Sequence, residues 1–318
     1  MPLRLRSACS AAALAVASLA GGAAAASDAP SVVVSIKPLH SLVAGVMAGV
    51  GEPGLILSRG GSEHSYSIRP SEAVALQEAA VVFWFGEGLE TFLSDTLASI
   101  AADATVVTLG DVPGLTRLPV RTGATRDAHA HGGHDHDEHD HDHDRLATFD
   151  PHVWLDPANA GVLVTAIAEA LAEADPAHAG VYRANAETTR AALRALDAEI
   201  AALLAPVAER PFVVFHDGYQ YLEHRYGLAG VGAITVGPEV QPGAARLQEI
   251  RERIAGLGAV CVFAEPQYPS ALVATVTEGL PGRTAVLDTL GAELENGPEL
   301  YFDLMRANAR SLADCLGG

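Results

Sequence analysis

Residues 178–205 read HAGVYRANAETTRAALRALDAEIAALLA and, after Gly180, contain neither glycine nor proline. Leu193, Leu196, Ile200, Leu203 and Val207 recur at spacings of three and four, the stripe of an amphipathic helix. At 1.5 Å per residue the segment forms a rod of about 42 Å. A helix of this length in the middle of a chain is a connector. It is stiffer than a pair of loop hinges, so it predicts limited closure of whatever it joins.

The sequence on either side of the rod has the same pattern. Short β-branched runs precede it at Val32–Ile36, Leu55–Leu57, Val81–Phe85 and Thr105–Leu109. Others follow it at Phe212–Phe215, Val231–Thr235, Val260–Phe263 and Thr284–Leu287. Each run leads into a helix-like stretch such as Pro70–Ala79, where proline suits a first helical turn. Four and four, alternating with amphipathic segments, predict an α/β protein of two similar (β/α)4 lobes. Their sheets should be mainly parallel. The expected division is an N-terminal lobe over 27–177, the linking helix over 178–207 and a C-terminal lobe over 208–318.

Residues 1–26 stand apart from both lobes. Arg4 and Arg6 precede an uncharged Ala- and Gly-rich stretch that ends in Ala23–Ala26. A basic start, an apolar centre and small residues at the end describe a cleaved signal peptide. The stretch is too poor in Leu, Ile and Phe for a good membrane anchor. Cys9 leaves with this segment. Cys261 and Cys315 remain, and two cysteines in an oxidising compartment read as one disulfide.

The chain of 318 residues carries a formal charge of −19, and loss of Arg4 and Arg6 takes it to −21. That excess argues against nucleic acid and anionic lipid as partners, because both require a basic face. The acids concentrate around a histidine run. His129, His131, His134, His136, His139, His141 and His143 alternate with Asp127, Asp135, Asp137, Glu138, Asp140, Asp142 and Asp144. Such a segment has no apolar face to bury, so a disordered loop is expected over 119–149. Neutral imidazoles at pH 7 beside carboxylates can collect a divalent cation weakly. The bland alternative is a solvated linker. The internal position and the aspartates argue against an expression tag.

Three other histidines sit in distinctive surroundings. His64 lies in a Gly-Ser-Glu-His-Ser-Tyr loop, His152 in Asp-Pro-His-Val-Trp-Leu-Asp-Pro, and His216 ends the run Phe-Val-Val-Phe-His. Ligand sites in open α/β sheets gather beyond the carboxyl ends of strands, where His216 and Asp288 are expected. Three imidazoles plus Glu63 or Asp288 make a zinc-like donor set. Spacing alone makes this a weak signal, since a lone histidine at a strand end is more often structural. His40, His178 and His224 read as ordinary. Glu265 and Tyr268 are further cleft positions whose role the sequence does not show.

Five ordered stretches change the weight of these residues. They are Ser35–Leu39, Gly61–Ser71, Asp150–Leu155, Phe215–Tyr219 and Phe263–Gln267. Together they resemble the high-affinity zinc-uptake substrate-binding proteins of ABC transporters, the cluster A-I metal-binding family, over nearly all of the chain after residue 26. The resemblance implies two α/β lobes joined by a long helix, with Zn²⁺ held in the cleft as cargo. His64 and His152 would come from one lobe and His216 from the other. Glu63, Asp288 or water would be the fourth ligand. It also implies a periplasmic location, an ABC permease partner, a Cys261–Cys315 bridge and a histidine-rich loop. A periplasmic zinc chaperone docking on that loop is a further partner to consider, and a monomer is expected.

Rival readings remain at this level. One is a manganese carrier or adhesin of the same family. Manganese prefers oxygen ligands, and its carriers have a carboxylate where this chain has His216. A second is a secreted zinc hydrolase, but no His-Glu-x-x-His motif is present. A third is a zinc buffer that uses the loop alone.

Overall fold

A computed structural model describes residues 29–58, 61–121, 149–235, 237, 242–257, 261–280 and 282–318. The expected signal peptide and the histidine run lie outside the described residues. Two four-stranded parallel sheets form the framework. The first contains β1 (Val32–Val34), β2 (Gly54–Leu55), β3 (Val81–Trp84) and β4 (Thr105–Thr108), in the order β2-β1-β3-β4. The second contains β5 (Phe212–His216), β6 (Gly230–Thr235), β7 (Cys261–Ala264) and β8 (Arg283–Val286), in the order β6-β5-β7-β8. The two orders are the same, as two similar lobes require.

Both faces of each sheet are covered, which an all-parallel sheet demands. In the first sheet Val32, Val34, Val81 and Phe83 face the central core, while Val33 and Val82 face a smaller cluster with Leu76, Leu93 and Leu97. In the second, Phe212, Val214, Cys261 and Phe263 face the same central core. Val213, Phe215 and Val262 face an outer cluster with Ile250 and Ile254. Alternate side chains of a strand point to opposite faces, which produces this split. The central core therefore runs continuously from one lobe into the other.

The helices start where local chemistry supports it. α1 (Lys37–Met47) and α2 (Pro70–Gln77) each have proline in the first turn. At α2 the Glu72 carboxylate accepts the Arg69 N–H at 2.8 Å, satisfying a terminal donor. α3 spans Thr91–Ile100 and α4 spans Pro157–Ala174. The Asp156 side chain caps α4 by accepting the Ala158 N–H at 2.8 Å.

The rod is α5 (Ala179–Leu204), 26 residues long. Its buried stripe runs Tyr182, Ala186, Leu193, Leu196, Ile200 and Leu204, then continues to Val207 through a 3-10 turn. Leu203, expected inside, is 38% exposed. Positions three and four beyond Ile200 flank the same face, and the inward place went to Leu204.

The remaining helices are α6 (Gln220–Tyr226), α7 (Ala244–Leu257), α8 (Ala271–Thr277) and α9 (Leu300–Gly317). α6 ends on Gly227 at φ 63°, a left-handed cap that glycine adopts without strain. α9 had no counterpart in the sequence reading. It packs on α5 and α1, so the C-terminal segment returns across to the first lobe. No helix among the described residues is long and apolar enough to cross a membrane.

That return is held by polar contacts. Lys37 Nζ donates to the carbonyls of Gly291, Ala292 and Leu294 at 2.9, 3.0 and 2.8 Å. Ser41 Oγ donates to Pro298 O at 2.9 Å, and Tyr301 Oη donates to Trp154 O at 2.7 Å. The Cys261–Cys315 disulfide ties β7 to the end of α9. Closing a 54-residue separation stabilises the fold by at most about 4 kcal/mol through the unfolded chain.

The stretch after β4 differs from expectation in its first part. Leu115 and Leu118 pack against the central core, and Asn159 bonds both the N–H and the carbonyl of Thr116. Arg121, inside the loop expected over 119–149, pairs with Asp217 and Glu223 at 3.1 and 2.7 Å. Asp150 N–H donates to Leu118 O at 2.8 Å, so the two ends of the intervening run meet. The core can accept Leu115 and Leu118 because the apolar residues in this stretch precede the charged run.

Candidate metal centre

The carboxyl ends of both sheets face one cleft, and the three singled-out histidines meet there. His216 is the last residue of β5. His152 directly precedes a 3-10 turn over Val153–Leu155 that leads into α4. His64 and Glu63 sit in a tight turn closed by the Ser62–Ser65 bridge. One donor atom from each of Glu63, His64, His152 and His216 lies within 4.8 Å of the others.

The spacing is chemically specific. His152 Nε2 lies 3.2 Å from His64 Nε2 and 3.3 Å from His216 Nε2. Tetrahedral zinc with Zn–N bonds near 2.05 Å places its nitrogens about 3.3–3.4 Å apart. The nearest Glu63 oxygen, Oε1, lies 3.9 Å from His152 Nε2. Glu63 Oε2 is buried with no hydrogen-bond partner. A buried carboxylate oxygen left bare is costly, and a cation at the centre of the four donors would remove that cost.

Two of the rings are oriented from behind. Asp150 Oδ1 lies 2.8 Å from His152 Nδ1, and Glu265 Oε1 lies 2.7 Å from His216 Nδ1. A carboxylate that accepts from Nδ1–H fixes the tautomer and leaves the Nε2 lone pair for a metal. His64 is placed through its backbone: its N–H donates to Ser62 Oγ at 3.1 Å, and Tyr268 Oη donates to the same oxygen at 2.8 Å. Tyr268 belongs to the second lobe, so this contact crosses the cleft.

The electrostatics follow from burial and these partners. His152 and His216 are buried and His64 is half-buried. Burial pushes the His64 imidazole down to about 3. Burial also pushes His216 down, but the Glu265 carboxylate outweighs it and raises the ring to about 9. Desolvation pushes Glu63 up, yet the three surrounding histidines hold it below the usual carboxylate range. Glu63 is therefore an anion awaiting a cation.

Asp288 is not brought into this group. Its Oδ1 accepts from Leu290 N–H at 2.8 Å and Gln267 Nε2 at 2.6 Å, and its Oδ2 accepts from Ala292 N–H at 2.6 Å. Both oxygens are committed to shaping its own loop. His40 bonds Pro53 O and His178 bonds Asp175, away from the cluster. Sequence reasoning gave Asp150 no role and left Glu265 without one. The only signal for Asp150 was its place two residues before a histidine in an Asp-Pro-His turn. Glu265 reads from the sequence only as a cleft position in the stretch Phe263–Gln267, and its pairing with His216, 49 residues away, leaves no local signal. A surface depression lined by His64, Ser65, Tyr66, Ser67, Thr91 and Phe92 opens beside the most exposed ligand. A separate groove between α4 and α5 shares no residue with the centre.

Comparison with known proteins places the chain in a family. Residues 32–315 match the family described as "Zinc-uptake complex component A periplasmic". The chain is 49% identical to the high-affinity zinc uptake system protein ZnuA of Brucella abortus, across 95% of this chain and 97% of that one. It is 40% identical to the protein of that name from Paracoccus denitrificans, across 91% and 93%. Among solved structures, a crystal structure of ZnuA superposes with a TM-score of 0.76 at 25% identity, covering 91% of this chain and all of that one. Matched over nearly its whole length, and carrying the three-histidine, one-glutamate centre between its lobes, the chain belongs to the ZnuA family of periplasmic zinc-uptake components.

Proposed function

We propose that this protein captures Zn²⁺ between Glu63, His64, His152 and His216 and hands it to the membrane permease of an ABC transporter. The observation that carries the reading is that His152 Nε2 stands at the edge length of a zinc tetrahedron from both His64 Nε2 and His216 Nε2. The uncommitted Glu63 Oε2 supports Glu63 as the fourth ligand, and the commitments of Asp288 argue against it in that place. Three nitrogens and one carboxylate suit zinc better than manganese, which favours oxygen donors and more of them.

The rest of the reading follows. Residues 1–26 direct export to the periplasm and are removed there. Lobes over 27–177 and 208–318 turn about the linker over 178–207. The α5 rod and the Lys37 clasp limit that motion to a small closure. The histidine run from His129 to His143 collects zinc weakly, and a zinc chaperone is a further partner for it. The protein acts as a monomeric carrier rather than an enzyme. Titration of the metal-free protein tests the reading. It should bind about one Zn²⁺ tightly and several more weakly, and a preference for Mn²⁺ over Zn²⁺ would contradict it.

A further inference from the structure

The loop after β8 reaches back under the metal centre. Thr289 is 1% exposed, and its hydroxyl donates to Glu63 Oε1 at 2.7 Å. The two residues are 226 apart in sequence and belong to different lobes. The Thr289 carbonyl accepts from Trp154 Nε1 at 2.9 Å, which fixes the backbone from the first lobe. The loop does not depend on the hydroxyl for its shape. Asp288 binds the N–H groups of Leu290 and Ala292, Lys37 holds three of its carbonyls, and Asn308 pairs with the Asp288 backbone in both directions.

Resting on the zinc reading, we infer that Thr289 is a positioning residue that sets how Glu63 meets the metal. Its hydroxyl takes a lone pair of Oε1 and stops the carboxylate from turning. A hydrogen bond on one oxygen restrains the rotation needed to straddle an ion with both and so favours binding through one. Glu63 then offers a single oxygen beside three nitrogens, which is a four-coordinate, zinc-like set. A free Glu63 would be able to bind through both oxygens, raising the coordination number toward what manganese prefers. Thr289 thus acts on metal selectivity as well as on affinity, and it does so from the lobe opposite to Glu63.

The test uses the full-length exported protein with Thr289→Val, which keeps the side-chain shape, and Thr289→Ser, which keeps the hydroxyl. Zn²⁺ and Mn²⁺ affinities are measured by competition titration, and the absorption spectrum is recorded with Co²⁺ in the site. Partners of metal ligands are typically worth about 10–100-fold in affinity. Thr289→Val should lose zinc affinity within that range, narrow the Zn²⁺/Mn²⁺ ratio and weaken the intense visible bands of tetrahedral Co²⁺. Thr289→Ser should keep all three close to wild type. Retention of zinc affinity, ratio and Co²⁺ bands in Thr289→Val overturns the assignment, as does equal loss in both variants. A wild-type protein that lacks the tight zinc site overturns the zinc reading itself, a result the variants are not needed to see.

Discussion

The Nε2 atoms of His152 and His216 lie 3.3 Å apart across the cleft, with one residue from each lobe. Neither ring reached this position alone. Asp150 aims the first and Glu265 the second, so the proposed metal centre is assembled by two carboxylate–histidine pairs facing each other. The donor cluster therefore needs both lobes, and removal of either half should be felt on the other.

His64 and His216 should fail in different ways. His64 is half-buried on a turn, so His64→Ala should abolish tight zinc binding and leave thermal stability nearly unchanged. His216→Ala should also abolish it, and it leaves the buried Glu265 carboxylate with the backbone N–H of residue 216 but without the imidazole. That should cost about 1–3 kcal/mol of stability in addition. Calorimetric titration with zinc and a thermal melt of each variant check the pair. Tight binding in both variants contradicts the cleft site.

Zinc binding should release a proton. Glu265 raises the His216 imidazole to about 9, so at neutral pH the metal-free protein holds a proton there that zinc must displace. Apparent affinity should therefore fall as pH drops below about 9, by close to tenfold per pH unit for one proton. His64, pushed down to about 3, contributes nothing to this slope near neutrality. Titrations in buffers of different ionisation enthalpy read the proton count directly, and a count near zero at pH 7 contradicts the Glu265–His216 pairing.

Deletion of residues 127–144 should remove the weak zinc equivalents and keep the tight one. The four proposed ligands all lie outside that stretch, and Asp150, which orients His152, follows it. Equilibrium dialysis against zinc counts both classes. Loss of the tight equivalent would place the primary site in the histidine run.

Much of the fold was legible because the inner strands of a parallel sheet are short β-branched or aromatic runs, as β1, β3 and β5 are, whereas the edge strand β2 is only Gly54–Leu55. The rod was legible because a helical stripe persists over many turns. α9 carries the same signal, with Leu300, Leu304, Met305, Ala309, Leu312 and Leu316 at three- and four-residue spacings, but its packing on α5 and α1 leaves no local trace. The site divides the same way. His216 declared itself by ending a strand. Asp288 follows the end of β8 by two residues, yet both its oxygens are spent on N–H groups of its own loop and on Gln267, which no strand-end rule foresees. The partnership of Glu63 with Thr289 spans 226 residues and leaves no local trace.

The Cys261–Cys315 bridge should support the fold without touching the metal. Replacing both cysteines with serine should lower stability by at most about 4 kcal/mol, a fall in Tm of several degrees. Zinc affinity at a temperature where the variant is folded should stay at the wild-type level. A large loss of affinity there would mean that β7 and Glu265 need the bridge to keep their position.

The central claim is that zinc sits between Glu63, His64, His152 and His216. Anomalous diffraction at the zinc absorption edge, from crystals of the zinc-loaded protein, tests it most directly. The account predicts one strong peak about 2 Å from the three Nε2 atoms and from one Glu63 oxygen. A strong peak at Asp288 or in the histidine run, with none between the three rings, would contradict it.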